Sequence, residues 1–358
     1  MTRPAAEPRT MNPGDREIRV MVVDDSPAVR TMLVEFLESD GIRVVAQCCN
    51  GQEALARVAA LAPDLVTMDL EMPVMGGLEA IEQIMARYPV PILAITAASG
   101  AGTAFAAVTR GAMDLIPKPD LSGKGREQLI QKVRQLAGAN MGAFLAFRGM
   151  KPPAITQHAP GAFPGQGGTV LAIAASTGGP QALQAILSRL DPSFPAPVVI
   201  AQHVGEGFCR GLAEWLGGST PLEVKEAAPG EALASGRVYL NPPDSAMRIS
   251  VHGSVILAER DGKNWYRPCC DTLLQSVAEV YGRRSIGLIL SGMGDDGVRG
   301  MLAIRKAGGA TLAQNAATSV VYGMNGAAVE AGAVEWTLPL DEIPARLQRL
   351  ALEARQAT

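Results

Sequence analysis

The chain has 358 residues, with 47% hydrophobic, 19% charged and a formal net charge of −3; that is too long for one typical domain and suits two well-cored globular ones. The charge leaves no basic footprint for nucleic acid and no polybasic arm for anionic lipid, so no nucleic-acid partner is expected. No apolar run reaches the roughly 18 residues of a membrane span, the first 17 residues hold no signal-peptide core, and the five cysteines form no CxxC pair; a cytoplasmic protein with free thiols and no direct membrane insertion is expected.

The first half alternates strand and helix. "IRVMVV" reads as a buried strand, and "PAVRTMLVEFLES" follows with Val29, Met32, Leu33, Phe36 and Leu37 at helical spacing behind an initiating proline. "RVVAQCC", a helix over 54–61, "DLVTM", a helix over 78–87, "PILAIT", a helix near 103–110, "MDLI" and a helix over 126–137 complete the series. Five strands and five helices predict a doubly wound parallel sheet over 17–137. From 138 to 167 the chain is rich in Gly, Pro and Ala, and no period holds. This reads as a linker whose scattered Phe and Met can dock on a neighbour.

Alternation resumes over 168–355. Apolar strands "TVLAIAA", "APVVIAQ", "SIGLILS" and "ATLAQ" alternate with helices over 181–190, 208–216, 272–281 and 298–307. Between them "LEVKEA", "RVYLNPP", "MRISV" and "SVILAE" read as hairpin strands. The expected fold is α/β throughout, the second domain being doubly wound with a β-hairpin insertion.

Polar groups gather at strand ends. Asp24 and Asp25 end the first strand, Asp69 the third, Thr96 the fourth and Lys118 the fifth. In an open α/β sheet all of these meet at one edge. Three carboxylates in one cleft repel unless a hard cation joins them, and magnesium suits oxygen ligands. An Asp beside that cation and a Lys can attack phosphorus. Residues 18 to about 137 resemble a response-regulator receiver, of the flavodoxin-like type. The resemblance implies that Asp69 accepts phosphate from a histidine kinase. It also implies that Asp24, Asp25 and Asp69 hold Mg2+, and that Thr96 and Lys118 read the phosphate. Leu115 stands where a switch aromatic is usual, and Gly76 where an Asp is common.

In "LAIAASTGGP", Ser176 follows a buried strand and precedes two glycines. It fits either a helix N-cap or a nucleophile; Ala174 departs from the G-x-S-x-G elbow. A nucleophile needs a base and an orienting acid. Of three histidines, His158 falls in the linker and His252 in the β insertion, whereas His203 ends a buried strand as Ser176 does. A further strand ends in "MGDDG", bringing Asp295 and Asp296. "AASTGGPQAL", "VVIAQHVGEGF", "RVYLNPPD" and "LSGMGDDGVRGMLAIRKAGGATLAQN" resemble the catalytic domain of the chemotaxis protein-glutamate methylesterases, the CheB family.

That resemblance implies Ser176 as nucleophile, His203 as base, Asp296 as orienting acid, and the backbone of Met293 and Thr177 as oxyanion hole. Asp295 is expected to cap the following helix, and no cofactor is expected at the esterase site. The implied substrates are glutamate γ-methyl esters, and glutamines, of methyl-accepting chemoreceptors. The sequence departs from the family at Ala246 and Tyr266, where histidines are common, and at Cys269–Cys270, where small or aliphatic residues are usual. A hydrolase of other esters and a non-catalytic docking module are the rival readings.

Overall fold

The computed structural model describes residues 17–96, 101–118, 123–149, 168–259 and 266–356. Strands β1 (Arg19–Val23), β2 (Arg43–Cys48), β3 (Leu65–Asp69), β4 (Ile92–Thr96) and β5 (Asp114–Pro117) form a five-stranded sheet in the order β2-β1-β3-β4-β5. Every pairing is parallel. Helices α1 (Pro27–Glu38), α2 (Gly51–Leu61), α3 (Gly77–Arg87), α4 (Ala101–Arg110) and α5 (Gly123–Ala137) alternate with the strands. All residues of β3 and β4 are buried, as expected of central strands covered on both faces. Ser26 caps α1 through its hydroxyl, which accepts from the Val29 amide, and Pro27 opens the helix. The β3–α3 loop folds back on its own strand: a Cβ on Gly77 would lie 2.0 Å from the Asp69 carbonyl oxygen. Glycine there lets the chain close around Asp69.

The second sheet is built from β6 (Val170–Ala175), β7 (Val198–Gln202), β8 (Glu223–Glu226), β9 (Arg237–Leu240), β12 (Ser285–Ile289), β13 (Ala310–Gln314) and β14 (Trp336–Leu338). Its order is β14-β13-β12-β6-β7-β9-β8, and the pairings are all parallel. This corrects one expectation: "LEVKEA" and "RVYLNPP" are not a hairpin but the parallel edge of the main sheet. Residues 227–236 between them let the chain return to the same sheet end. Only β10 (Ser245–Ile249) and β11 (Val255–Glu259) form the expected antiparallel hairpin. The chain leaves β6 toward β7 on one side and later enters β12 on the other. The crevice at the carboxyl ends of β6, β7 and β12 is therefore the topological switch point, where open α/β sheets bind ligands.

Helices α7 (Gly179–Leu187), α8 (Cys209–Gly217), α9 (Cys270–Tyr281) and α10 (Val298–Lys306) follow these strands. Three elements were not read from the sequence: β14, α11 (Met324–Glu330) and α12 (Ile343–Gln356). The supposed linker is also corrected in part. Residues 141–149 form α6 (Met141–Gly149), which packs against α7 and buries Phe144 and Phe147. Its apolar residues form a nearly continuous run, Ala143 to Phe147, so no polar face marks a period. Residues 150–167, with His158, lie outside the described residues.

Phe144 is fully buried. Replacing it by alanine is expected to cost about 3 to 5 kcal/mol, the usual penalty for emptying a buried phenylalanine site, measured as a lowered midpoint in urea unfolding. An unchanged midpoint would show that α6 adds nothing to the fold.

Candidate active site

Ser176 and His203 leave adjacent strands at the same level. Ala175 of β6 pairs with Gln202 of β7, and the His203 amide donates to the Ala175 carbonyl (2.9 Å). Gln202 reinforces this: its Nε2 donates to the Ser176 carbonyl (2.8 Å) and the His203 carbonyl (2.9 Å). After Ser176 the chain turns sharply. Gly178 has φ +77°, and a Cβ on Gly179 would lie 2.0 Å from Gln202 Oε1. The N-cap of α7 is Gly178, with no side-chain cap. Ser176 is therefore not a capping serine, and its hydroxyl is left for other work.

Asp296 meets the imidazole: its Oδ2 lies 2.8 Å from His203 Nε2. It also accepts from the Cys270 amide (2.7 Å) and the Asp271 amide (3.0 Å) at the start of α9. Burial opposes its charge, but the His203 hydrogen bond and charge and the two amides outweigh it and hold the carboxyl below its ordinary range. A carboxylate can only accept, so Nε2 carries the proton and Nδ1 is free to take one. Among the described residues Ser176 Oγ has no hydrogen-bond partner. Resting hydrolases often hold this contact long until substrate arrives.

The segment after β12 runs beside the serine. Ser176 donates its amide to the Ser291 carbonyl (3.0 Å), and a Cβ on Gly292 would lie 2.7 Å from the Ser176 Cβ. Among the described residues the amides of Thr177 and Met293 donate to no protein acceptor. Such amides are what a developing oxyanion requires. Tyr266 stacks on His203, ring centroids 5.1 Å apart and planes 10° from parallel, while its hydroxyl donates to Asp295 (3.2 Å).

At the edge of the first sheet, Lys118 Nζ lies 2.8 Å from Asp69 Oδ2 and 3.0 Å from Asp24 Oδ2. Asp24 and Asp69 are buried and Asp25 is exposed, and each offers an oxygen within 4.8 Å of the others. Burial lifts the Asp24 carboxyl above its ordinary range, and the Asp69 charge adds to this against Lys118. Crowded carboxylates of this kind fit a hard cation such as Mg2+. Thr96 is buried at the end of β4, where its carbonyl accepts from the Lys118 amide (2.8 Å). Leu115 is buried too.

The CheB methylesterase family matches residues 171–347, and the response regulator receiver domain matches 20–134. A protein-glutamate methylesterase/protein-glutamine glutaminase of Paramagnetospirillum magneticum is 46% identical over 356 residues, covering 94% of this chain and 96% of that one. Another, from Pyrococcus abyssi, is 36% identical across 93% of this chain and 94% of its own length. The chain belongs to this family. The crystal structure of the Thermotoga maritima CheB methylesterase catalytic domain is 37% identical, with a TM-score of 0.50 over 51% of this chain and 98% of that one.

In this CheB-family chain the receiver grips the residue after Ser176. Thr177 Oγ1 accepts from Lys132 Nζ (2.8 Å) and donates to Asp114 Oδ2 (2.8 Å), with Gln135 Oε1 at 3.1 Å. Lys132 and Asp114 are themselves paired at 2.7 Å. Gln181 Nε2 donates to the Ala112 and Met113 carbonyls (3.3 Å each). Trp215 stacks on Phe105 and donates to Thr109 (2.9 Å). Ser176 itself is 4% exposed.

Sequence reasoning brought together Ser176, His203 and Asp296 but missed their supports. Gln202 and Asp271 carry no motif signal of their own; strand pairing and helix geometry give them their roles. Asp295 does not cap α10 with its carboxyl, which accepts from Tyr266. Asp271 takes that role, accepting from the Gly297 amide (3.0 Å), the Gly300 amide (2.8 Å) and Arg299 Nε (2.7 Å). It reaches α10 from a neighbouring helix, which spacing along the chain does not reveal. Asp271→Ala strands two buried amides, and a loss of about 2 kcal/mol or more is expected, read as a lowered urea midpoint. An unchanged midpoint would remove Asp271 as the cap.

Proposed function

We propose that Ser176, His203 and Asp296 carry out the hydrolysis of glutamate γ-methyl esters on methyl-accepting chemoreceptors, yielding glutamate and methanol. The carrying observation is the Asp296–His203 hydrogen bond beside the strand end that bears Ser176. Ser176 Oγ attacks the ester carbonyl as His203 Nδ1 takes its proton. The Thr177 and Met293 amides receive the oxyanion, and His203 returns the proton to the departing methoxide. Water, activated by the same nitrogen, then cleaves the acyl-enzyme. A receptor glutamine enters the same route and releases ammonia.

The receiver, over 17–137, controls the catalytic domain, over 168–355. A histidine kinase supplies the phosphoryl group and Asp69 accepts it. Asp24, Asp25 and Asp69 would hold Mg2+, which would supply charge to neutralise the phosphoryl oxygens. Lys118 and Thr96 contact the new phosphate, and Lys118 gives up its present pairing with Asp69 to do so. The grip of Asp114 and Lys132 on Thr177 represents the restrained state. Among the described residues no helix is long and apolar enough to cross a membrane. The chain is proposed to meet the receptor in the cytoplasm.

Two measurements test this. Methanol release from methyl-labelled receptor is expected from wild type and not from Ser176→Ala, and Asp296→Asn is expected to lose on the order of 10³-fold or more. Equal release from Ser176→Ala would end the reading. Lys132→Met is expected to raise the unphosphorylated rate about tenfold, the shift that ~1.4 kcal/mol of lost interface stability produces. Asp69→Asn is expected to remove stimulation by a phosphoryl donor. A Lys132→Met rate equal to wild type would show that the Thr177 contact does not restrain the site.

A further inference from the structure

We propose that His203, Cys270 and Asp296 form a binding site for a borderline divalent cation of the zinc type, and that zinc bound there silences the esterase. The coordination stands on geometry alone; the silencing rests on the reading of His203 as the base.

One ligand atom from each of the three residues lies within 4.8 Å of the others. His203 Nε2 is the hub, 2.8 Å from Asp296 Oδ2 and 3.5 Å from Cys270 Sγ. On a tetrahedral zinc, with Zn–S near 2.3 Å and Zn–N near 2.05 Å, N and S stand about 3.5 Å apart. The N–S pair is therefore already spaced for the metal. The N–O pair has to open by about 0.5 Å to reach the tetrahedral spacing. Three protein ligands leave the fourth position to water. Cys270 and Asp296 are buried, and the His203 side chain, 11% exposed, is the edge nearest solvent.

The donor set decides which ion. The receiver carboxylates offer oxygen alone and suit magnesium, whereas nitrogen, sulfur and oxygen together suit zinc. The bland role for Cys270 is a small buried hydrophobe whose thiol donates to the Ala201 carbonyl (3.3 Å). That role does not explain the approach of the sulfur to Nε2 (3.5 Å).

The chemistry balances without a redox partner. On binding, the Cys270 thiol proton leaves to solvent, and the imidazole proton moves from Nε2 to Nδ1. Nδ1 then carries a hydrogen and cannot take the Ser176 proton. Asp296 is at the same time drawn off its orienting role.

The test uses the full-length protein with Mg2+ in excess, so that the receiver carboxylates are saturated. Zinc is titrated into the methanol-release assay, and each variant is normalised to its own metal-free rate. Separately, cobalt is titrated as a spectroscopic stand-in, and the thiolate-to-cobalt charge-transfer band is recorded. Wild type is expected to be inhibited and to show the band. Cys270→Ala and Cys270→Ser are expected to need about tenfold more zinc or beyond, and to lack the band. Cys49→Ala, at the more exposed thiol, is expected to keep both. A band of undiminished strength in both Cys270 variants, or equal zinc inhibition of them, overturns the proposal. Failure of the esterase reading shows up differently, as no methanol release without any metal, and the cobalt band still decides the site.

Discussion

The buried carboxylate of Asp296 is the constraint on which the C-terminal site depends. Its charge in the interior is tolerable because four donors face it: His203 Nε2, the Cys269 thiol and the first amides of α9. The same contacts set the imidazole tautomer. Asp271, one of the two residues whose amides serve Asp296, sends its own carboxylate back to the amides that begin α10. The two aspartates thus cap each other's segments. Helix ends that sequence would leave unsatisfied are closed across the fold, and the loop bearing Asp296 is fixed to the helix bearing Cys270. Placement of the His203–Asp296 pair and helix termination are one set of bonds.

Much of this was legible in the chain. Period and strand-end chemistry were enough for the five-stranded sheet, the strand bearing Ser176 and the aspartates, because buried parallel strands are apolar runs with their polar groups at the carboxyl ends. Pairing was less legible. "LEVKEA" and "RVYLNPP" alternate as hairpin strands do, and nothing local shows that residues 227–236 carry the chain back to the same end of the sheet. The helix over 141–149 was hidden because so short a helix draws its stability from packing, here the burial of Phe144 and Phe147 where α6 meets α7, a tertiary cause. Ser176 resisted a decision for a similar reason: capping and nucleophilic serines look alike until φ at Gly178 and the cap of α7 are known. With no CxxC pair, the adjacent Cys269 and Cys270 carry no metal signal in the chain. Their neighbour in space, His203, comes from a strand 67 residues away.

Strand β5 ties the two halves together. Its first residue, Asp114, receives the Thr177 hydroxyl, and Lys118, just past its end, holds Asp69. A strand is stiff along its length, so a phosphoryl group that draws Lys118 into a new position bears on the same short segment that positions Asp114. Thr177 is next to the serine, and its amide is one of the two proposed to receive the oxyanion. In the proposed mechanism, loosening the Asp114–Lys132 pair therefore changes more than access to the cleft: it frees the backbone proposed to hold developing charge. A receiver that merely shielded Ser176 would bury surface without touching Thr177 through a charged pair. In this reading the polar grip makes the restraint specific, and because the Thr177 hydroxyl can exchange its contacts with the receiver's Asp114–Lys132 pair for water once the interface opens, the restraint is reversible as well.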